Sequence, residues 1–181
     1  MLFKKTLFAV AVLAFAGAAS AQTPGFFEVK MKVIGGCNFD GPAQGVNNLG
    51  PVWLGSESGI SNGTSARNAT VNLSVKCTAG TDYAINLTSA NAVANGTGVG
   101  LMKNSIASNT DTIAYSMHKA AGSGSPVWGN GSVPGAAISG NGVQGSGTAL
   151  VNTHTVHLVS AGPIVASVGD YSDTVNISVL Y

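Results

Sequence analysis

Gly59-Ile60-Ser61-Asn62-Gly63 fits the G-x-S-x-G spacing of a nucleophile elbow, where a serine on a strained turn attacks a carbonyl carbon. An elbow needs a strand before the serine and a helix after it. Here the five residues sit in a Gly/Ser/Asn-rich stretch, 55–66, with no helical run beyond. In a chain with 25 glycines such a match arises by chance, and Ser61 is the sole basis for a hydrolase. Gly140-Asn141-Gly142-Val143-Gln144-Gly145 fits G-x-G-x-x-G, which binds a dinucleotide when a strand precedes it and a helix follows. Ser146-Gly147-Thr148 and a further strand pattern follow instead, so no phosphate-binding turn is expected. His154 and His157 are three positions apart, which on a strand puts them on opposite faces, and His118 lies elsewhere. No zinc site and no other cofactor is expected, and the three histidines read as exposed strand or loop residues. Glu57, Asp82, Asp111, Asp170 and Asp173 are scattered, with no pairing that suits glycoside hydrolysis, and read as turn formers or solubilising groups. Trp53 and Trp128 are the two tryptophans; core packing is the default for each, and a sugar-stacking platform on a loop is the alternative.

The chemistry that remains is that of the two cysteines, and it depends on compartment. Lys4 and Lys5, the apolar run Leu7 to Ala16 and the small-x-small Ala19-Ser20-Ala21 read as a secretory signal over residues 1–21. The run is too short to span a bilayer, and no later stretch approaches that length. In an exported chain Cys37 and Cys77 are expected to form a disulfide, closing a loop of about 40 residues, for which the chain-entropy relation gives roughly 3–4 kcal/mol. Removing Lys4 and Lys5 leaves six basic residues against seven acidic ones. Without a basic patch, nucleic acid is excluded as a partner. Charged residues are 8% of the chain, so solubility rests on Asn, Ser, Thr and exposed backbone, a composition that suits an extracellular assembly.

The elements that position these residues are strands. Val71, Leu73, Val75 and Cys77 alternate with polar neighbours. So do Tyr83, Ile85 and Leu87; Ile113, Tyr115 and Met117; Val156 and Leu158 within 148–160; and Val175, Ile177, Val179 and Tyr181. Each is the signature of a half-buried strand. Glycine-rich loops separate them, the longest covering 122–147, and no capped helical period appears after the signal. The pattern predicts an all-β immunoglobulin-like sandwich of six strands over 36–181, one short of the usual seven. A seventh candidate precedes Cys37, in the extension 22–35. Phe27, Val29, Met31 and Val33 fall on one face of an extended strand, and Glu28, Lys30 and Lys32 on the other. This leading strand either folds back onto its own domain or leaves to fill another copy. At the far end, nothing follows to cover the strand pattern from Tyr171 to Tyr181.

Four stretches carry a family likeness. They are the leading strand running into Gly35-Gly36-Cys37; Val71-Asn72-Leu73-Ser74-Val75-Lys76-Cys77 followed by Thr78-Ala79-Gly80-Thr81-Asp82-Tyr83; Ile113-Ala114-Tyr115-Ser116-Met117-His118 with Trp128-Gly129 shortly after; and Gly169-Asp170-Tyr171-Ser172-Asp173-Thr174-Val175-Asn176-Ile177-Ser178-Val179 at the end. Over about Val29 to Tyr181 the chain resembles the spore coat protein U domain of archaic, Csu-type chaperone–usher pilus subunits. It departs from the pattern at Lys103, where an Arg is common, and at Val156 to Pro163.

The resemblance implies an incomplete sandwich completed by a donor strand from a neighbouring subunit. Phe27, Val29, Met31 and Val33 would be the donor residues, and Val175, Ile177, Val179 and Tyr181 the strand lining the acceptor groove. The implied partners are identical or related pilin subunits, a periplasmic chaperone and an outer-membrane usher. The implied place is a pilus at the cell surface, serving adhesion and biofilm formation. About 160 residues after the signal leave room for one domain, which suits a rod subunit. The alternatives are a self-contained secreted coat or matrix protein, and a carbohydrate-binding module using Trp128 and the 122–147 loop.

Overall fold

A computed structural model of the chain describes residues 27–39, 49–56, 66–92, 94, 96–137, 140–160 and 162–181. The signal reading, Ser61 and Glu57 lie outside the described residues. The chain divides into two units, Met1–Lys32 and Val33–Tyr181. In the first, residues 27–32 carry no strand.

The second unit is an all-β, two-sheet antiparallel sandwich, with no helix among the described residues. Its strands are β1 (Cys37–Phe39), β2 (Asn68–Cys77), β3 (Asp82–Ser89), β4 (Val99–Asn104), β5 (Thr112–His118), β6 (Val143–Ser146), β7 (Val151–Ser160), β8 (Tyr171–Ser172) and β9 (Val175–Leu180). One sheet has the order β1-β2-β7-β5-β4-β8 and the other β6-β3-β9. The alternating rows face inward as their period requires. Leu73, Val75 and Cys77 from β2, Tyr83, Ile85 and Leu87 from β3, Tyr115 and Met117 from β5, and Val156 and Leu158 from β7 form the core around Trp128. Trp128 is 1% exposed and donates its indole N–H to the carbonyl of Ile85 at 2.9 Å. A buried indole needs that partner, and a ring so enclosed has no face to offer a sugar. Trp53, in contrast, is 77% exposed, against the core default.

Three expectations need correction. Nine strands are described rather than six. Val99 to Asn104 has a glycine and a lysine inside its pattern, and β1, β6 and β8 are too short to show a period. Second, β3 is buried on both faces instead of one: Ala84 and Ile85 are fully buried and Asn86 is 5% exposed. The segment after Trp128 lies against it, with Ser132 N–H donating to Asn86 Oδ1 and Asn86 Nδ2 donating to Ser132 O, both at 3.0 Å. A buried amide is tolerable when both of its ends are satisfied. The loop 122–147 is therefore partly a covering layer and contains β6. Third, the single pattern from Tyr171 to Tyr181 is two strands. β8 pairs with β4 in the larger sheet, and β9 pairs with β3 in the smaller one.

The G-x-G-x-x-G match has a packing explanation. Gly140 has φ +70°, and a Cβ there would lie 2.2 Å from the Gly131 carbonyl carbon. A Cβ on Gly142 would lie 2.2 Å from Asn86 Oδ1, and one on Gly145 2.5 Å from the Tyr83 ring. All three glycines are set by close approach of the chain to itself, and none by phosphate.

Candidate functional site

β9 is the terminal strand of its sheet among the described residues: β3 lies on one side and no strand on the other. The register Ile85↔Val179 and Leu87↔Ile177 fixes its orientation. That register turns Val175, Ile177 and Val179 toward the core, where they remain half-buried while the row opposite them on β3 is fully buried. An edge strand exposes alternate backbone N–H and C=O groups that can pair with another chain. An open ladder edge beside an incompletely covered apolar row is a place for an added strand. Tyr181 lies one residue beyond β9 and is 63% exposed, so it is not part of that row.

Of the leading residues, Phe27 is 86%, Val29 82%, Met31 87% and Val33 69% exposed. No strand is formed over 27–36, since an extended segment without a ladder partner has neither backbone bonds nor a surface for its apolar row. Glu28 and Lys30, on the alternate face, form an exposed ion pair at 2.8 Å.

The root of the leader is fixed. Cys37 and Cys77 are directly opposed in the β1–β2 ladder and form a disulfide with an S–S distance of 2.07 Å. Thr78 N–H donates to Gly36 O at 2.9 Å. A Cβ on Gly35 would come within 2.9 Å of Thr81 Oγ1, so the chain passes close to Thr81 at that glycine.

Asp173, expected as a solubilising acid, gathers hydrogen bonds at the start of β9. Tyr115 O–H donates to Oδ2 at 2.7 Å, and the Ser89 hydroxyl donates to the same oxygen. Asn91 donates to Oδ1 from its backbone at 3.2 Å and from Nδ2 at 2.9 Å, and the Thr174 N–H donates at 2.8 Å. Burial, with the adjacent carboxylate, pushes the Tyr115 phenol well above the ordinary tyrosine range, so it stays a donor. A sequence signal for this was present: Asp173 falls on the inward parity of Tyr171, Val175, Ile177 and Val179, where an acid needs partners.

The three histidines lie on strands, His118 on β5 and His154 and His157 on β7, but none of them is exposed. His118 is 3% exposed, with Nδ1 facing Ser125 O at 2.7 Å and Nε2 facing the Ser116 hydroxyl at 2.7 Å. His154 stacks edge-on to Tyr83 and Trp128. Burial lowers its pKa and raises that of Tyr83, and its Nε2 shares a hydrogen bond with the Tyr83 hydroxyl at 2.8 Å. Among the described residues, no group of three or more His, Cys, Asp or Glu could hold a metal ion. Asp111 accepts from the backbone N–H of Ser167 at 2.9 Å and from its hydroxyl, and those bonds depress its pKa.

The family model of the Spore Coat Protein U domain matches residues 23–178. No curated protein sequence matches. One similar solved structure is the CsuC–CsuE chaperone–tip adhesion subunit pre-assembly complex from archaic chaperone–usher Csu pili of Acinetobacter baumannii. The identity is 16%, over 82% of this chain and 40% of that one, with a TM-score of 0.49. Another is a chaperone–tip adhesin complex of CFA/I fimbriae biogenesis, with 13% identity over 79% of this chain and 42% of that one and a TM-score of 0.43. The chain thus spans about two fifths of the length of each.

Proposed function

The chain belongs to the Spore Coat Protein U domain family, and from that membership we propose that it is a structural subunit of a chaperone–usher surface pilus. Each copy lends its leader to the open β9 edge of another. Phe27, Val29, Met31 and Val33 enter successive pockets beside Val175, Ile177 and Val179, and the two backbones complete a ladder. Strand addition of this kind is an established recognition mode, for which pilin donor-strand complementation is a standing example. Burying four large apolar side chains contributes roughly 6–12 kcal/mol before ordering costs. A periplasmic chaperone covers the edge first, an outer-membrane usher exchanges it for a leader, and the fibre serves surface adhesion and biofilm formation. The role is mechanical and needs no catalytic group.

One observation carries this reading: β9 presents an unladdered edge and a half-buried apolar row, while a leader of matching period stands exposed. The test is a chain truncated before Ile34, coexpressed with a chaperone and usher of the same kind. It should still form a soluble chaperone complex and should yield no fibre. Normal fibres from the truncated chain would refute strand donation by the leader.

A further inference from the structure

The chain changes sheets between Ser172 and Val175. Tyr171 and Ser172 pair with Asn104 and Lys103 in the six-stranded sheet, and Val175 already pairs with Ser89 in the three-stranded one. Asp173 and Thr174 are therefore the whole crossover. From this point the Asp173 carboxylate holds both layers. Tyr115, its partner at 2.7 Å, belongs to β5 of the larger sheet. Ser89 ends β3 of the smaller sheet, and Asn91 follows it. Ala90 N–H adds a backbone bond to Thr174 O at 2.8 Å. Tyr115 is 3% and Ser89 4% exposed, so these partners are held by packing. Bonds to an ionised acceptor in such a setting are roughly twice as strong as neutral ones.

We propose that Asp173 is a positioning residue that clamps the two sheets at the start of β9 and thereby sets the size of the terminal pocket offered to an incoming strand. This rests on the strand-donation reading above and adds to it a determinant of which side chain is accepted. β9 is pinned at only one end in this way. At its other end the last ladder residue, Leu180, is 43% exposed and Tyr181 63%. A fixed gap between sheets discriminates by volume, because a packed pocket responds to a single methylene. If the clamp is released, the sheets at that end can separate or close, and the pocket there stops distinguishing large from small. Pockets further along β9, held by the β3 ladder, keep their preference.

The test uses the full exported chain and fluorescent peptides copying residues 24–36, with alanine placed singly at Phe27, Val29, Met31 or Val33. Uptake of each is compared with that of the unsubstituted peptide, for the unaltered chain, Asp173→Asn and Tyr115→Phe. Tyr115→Phe keeps the ring in the core and removes one hydroxyl, so it remains informative where Asp173→Asn does not fold. The expected result is a local one. Discrimination at one terminal position, Phe27 or Val33, falls about tenfold, the size of one lost charge-assisted bond, while Val29 and Met31 keep theirs. Which terminal position responds also gives the direction in which the strand lies. An equal loss at all four positions, as a loss of stability alone would give, overturns the clamp. So does unchanged discrimination in both variants. An unaltered chain that takes up no peptide overturns the strand-donation reading instead, and the clamp falls with it.

Discussion

Val175, Ile177 and Val179 in β9 and Phe27, Val29 and Met31 in the leader share one period-two pattern. The first row is half-buried against the core, and the second is 82–87% exposed. The difference does not lie in hydrophobicity. β9 has β3 beside it, in a register that sets Val179 opposite Ile85 and Ile177 opposite Leu87 on the face turned to the core. The leader's described residues have no ladder partner at all. Alternation records the capacity to lie on an apolar surface, and the partner that supplies the surface is a separate fact.

The comparison is broken most severely from the body side. Trp128→Ala removes the largest fully buried side chain and leaves Ile85 O without its donor. The expected loss is about 3–5 kcal/mol, read from the denaturant midpoint. β9 would then lose its buried backing, and the two rows would become alike. Replacing Cys37 and Cys77 together with alanine comes next. The bridge closes a separation of 40 residues, and its removal should cost about 3–4 kcal/mol. The effect should vanish when the unaltered chain is measured with its disulfide reduced. A smaller or absent loss would mean that the β1–β2 ladder and Thr78 hold the leader's root unaided.

How much of this was legible follows from the same contrast. β2, β3, β5, β7 and β9 are long enough for their period to show, and the pairing of two cysteines in an exported chain leaves one choice. β6 and β8 escape because four and two residues carry no period. Their assignment depends on Tyr83 and Lys103 lying opposite them, which is tertiary information. The buried outer face of β3 escapes for the same reason. Asn86 reads as a solvent-facing residue until Ser132 is seen to satisfy both ends of its amide. Asp173 is the instructive case. Its parity was visible, but an acid on an inward row has meaning only once Tyr115, Ser89 and Asn91 converge on it from distant positions. Val175, Ile177 and Val179 were readable as a row, but that β3 is the strand beside them was not.

Two titrations sharpen the comparison without changing the core's shape. Burial lowers the pKa of His154 below its ordinary value of 6.5. Between those two values the unfolded chain binds a proton that the folded one refuses, so stability rises with pH across that window and falls on acidification through it. His154→Gln should flatten this slope in melting curves taken below neutrality. Tyr115 works on the alkaline side. Its pKa is raised, so the folded chain keeps a proton that the unfolded chain gives up above about pH 10, and stability declines as pH rises past that point. Tyr115→Phe should make that decline shallower, leaving the part that Tyr83, also raised by burial, contributes. Neither titration involves a leader residue, so the same two slopes should appear in a chain truncated before Ile34.

The smallest expected effect on stability is in the leader itself, and it is the most discriminating. Val29→Asp and Met31→Asp put charges on side chains that are 82% and 87% exposed. Exposed substitutions of this kind move stability by about 0.5 kcal/mol or less, so the melting temperature of the single chain should not shift. Docking is a different matter. In the groove each carboxylate would have to leave water for an apolar pocket without a partner, and such groups either stay out or bind with a heavy penalty. Fibre yield should therefore collapse while the monomer melts normally. If Val29→Asp lowered the melting temperature, the leader would already be packed in its own subunit, and its contrast with β9 would disappear. If it melted normally and still formed fibres, the exposed row would not be the one that polymerises the protein.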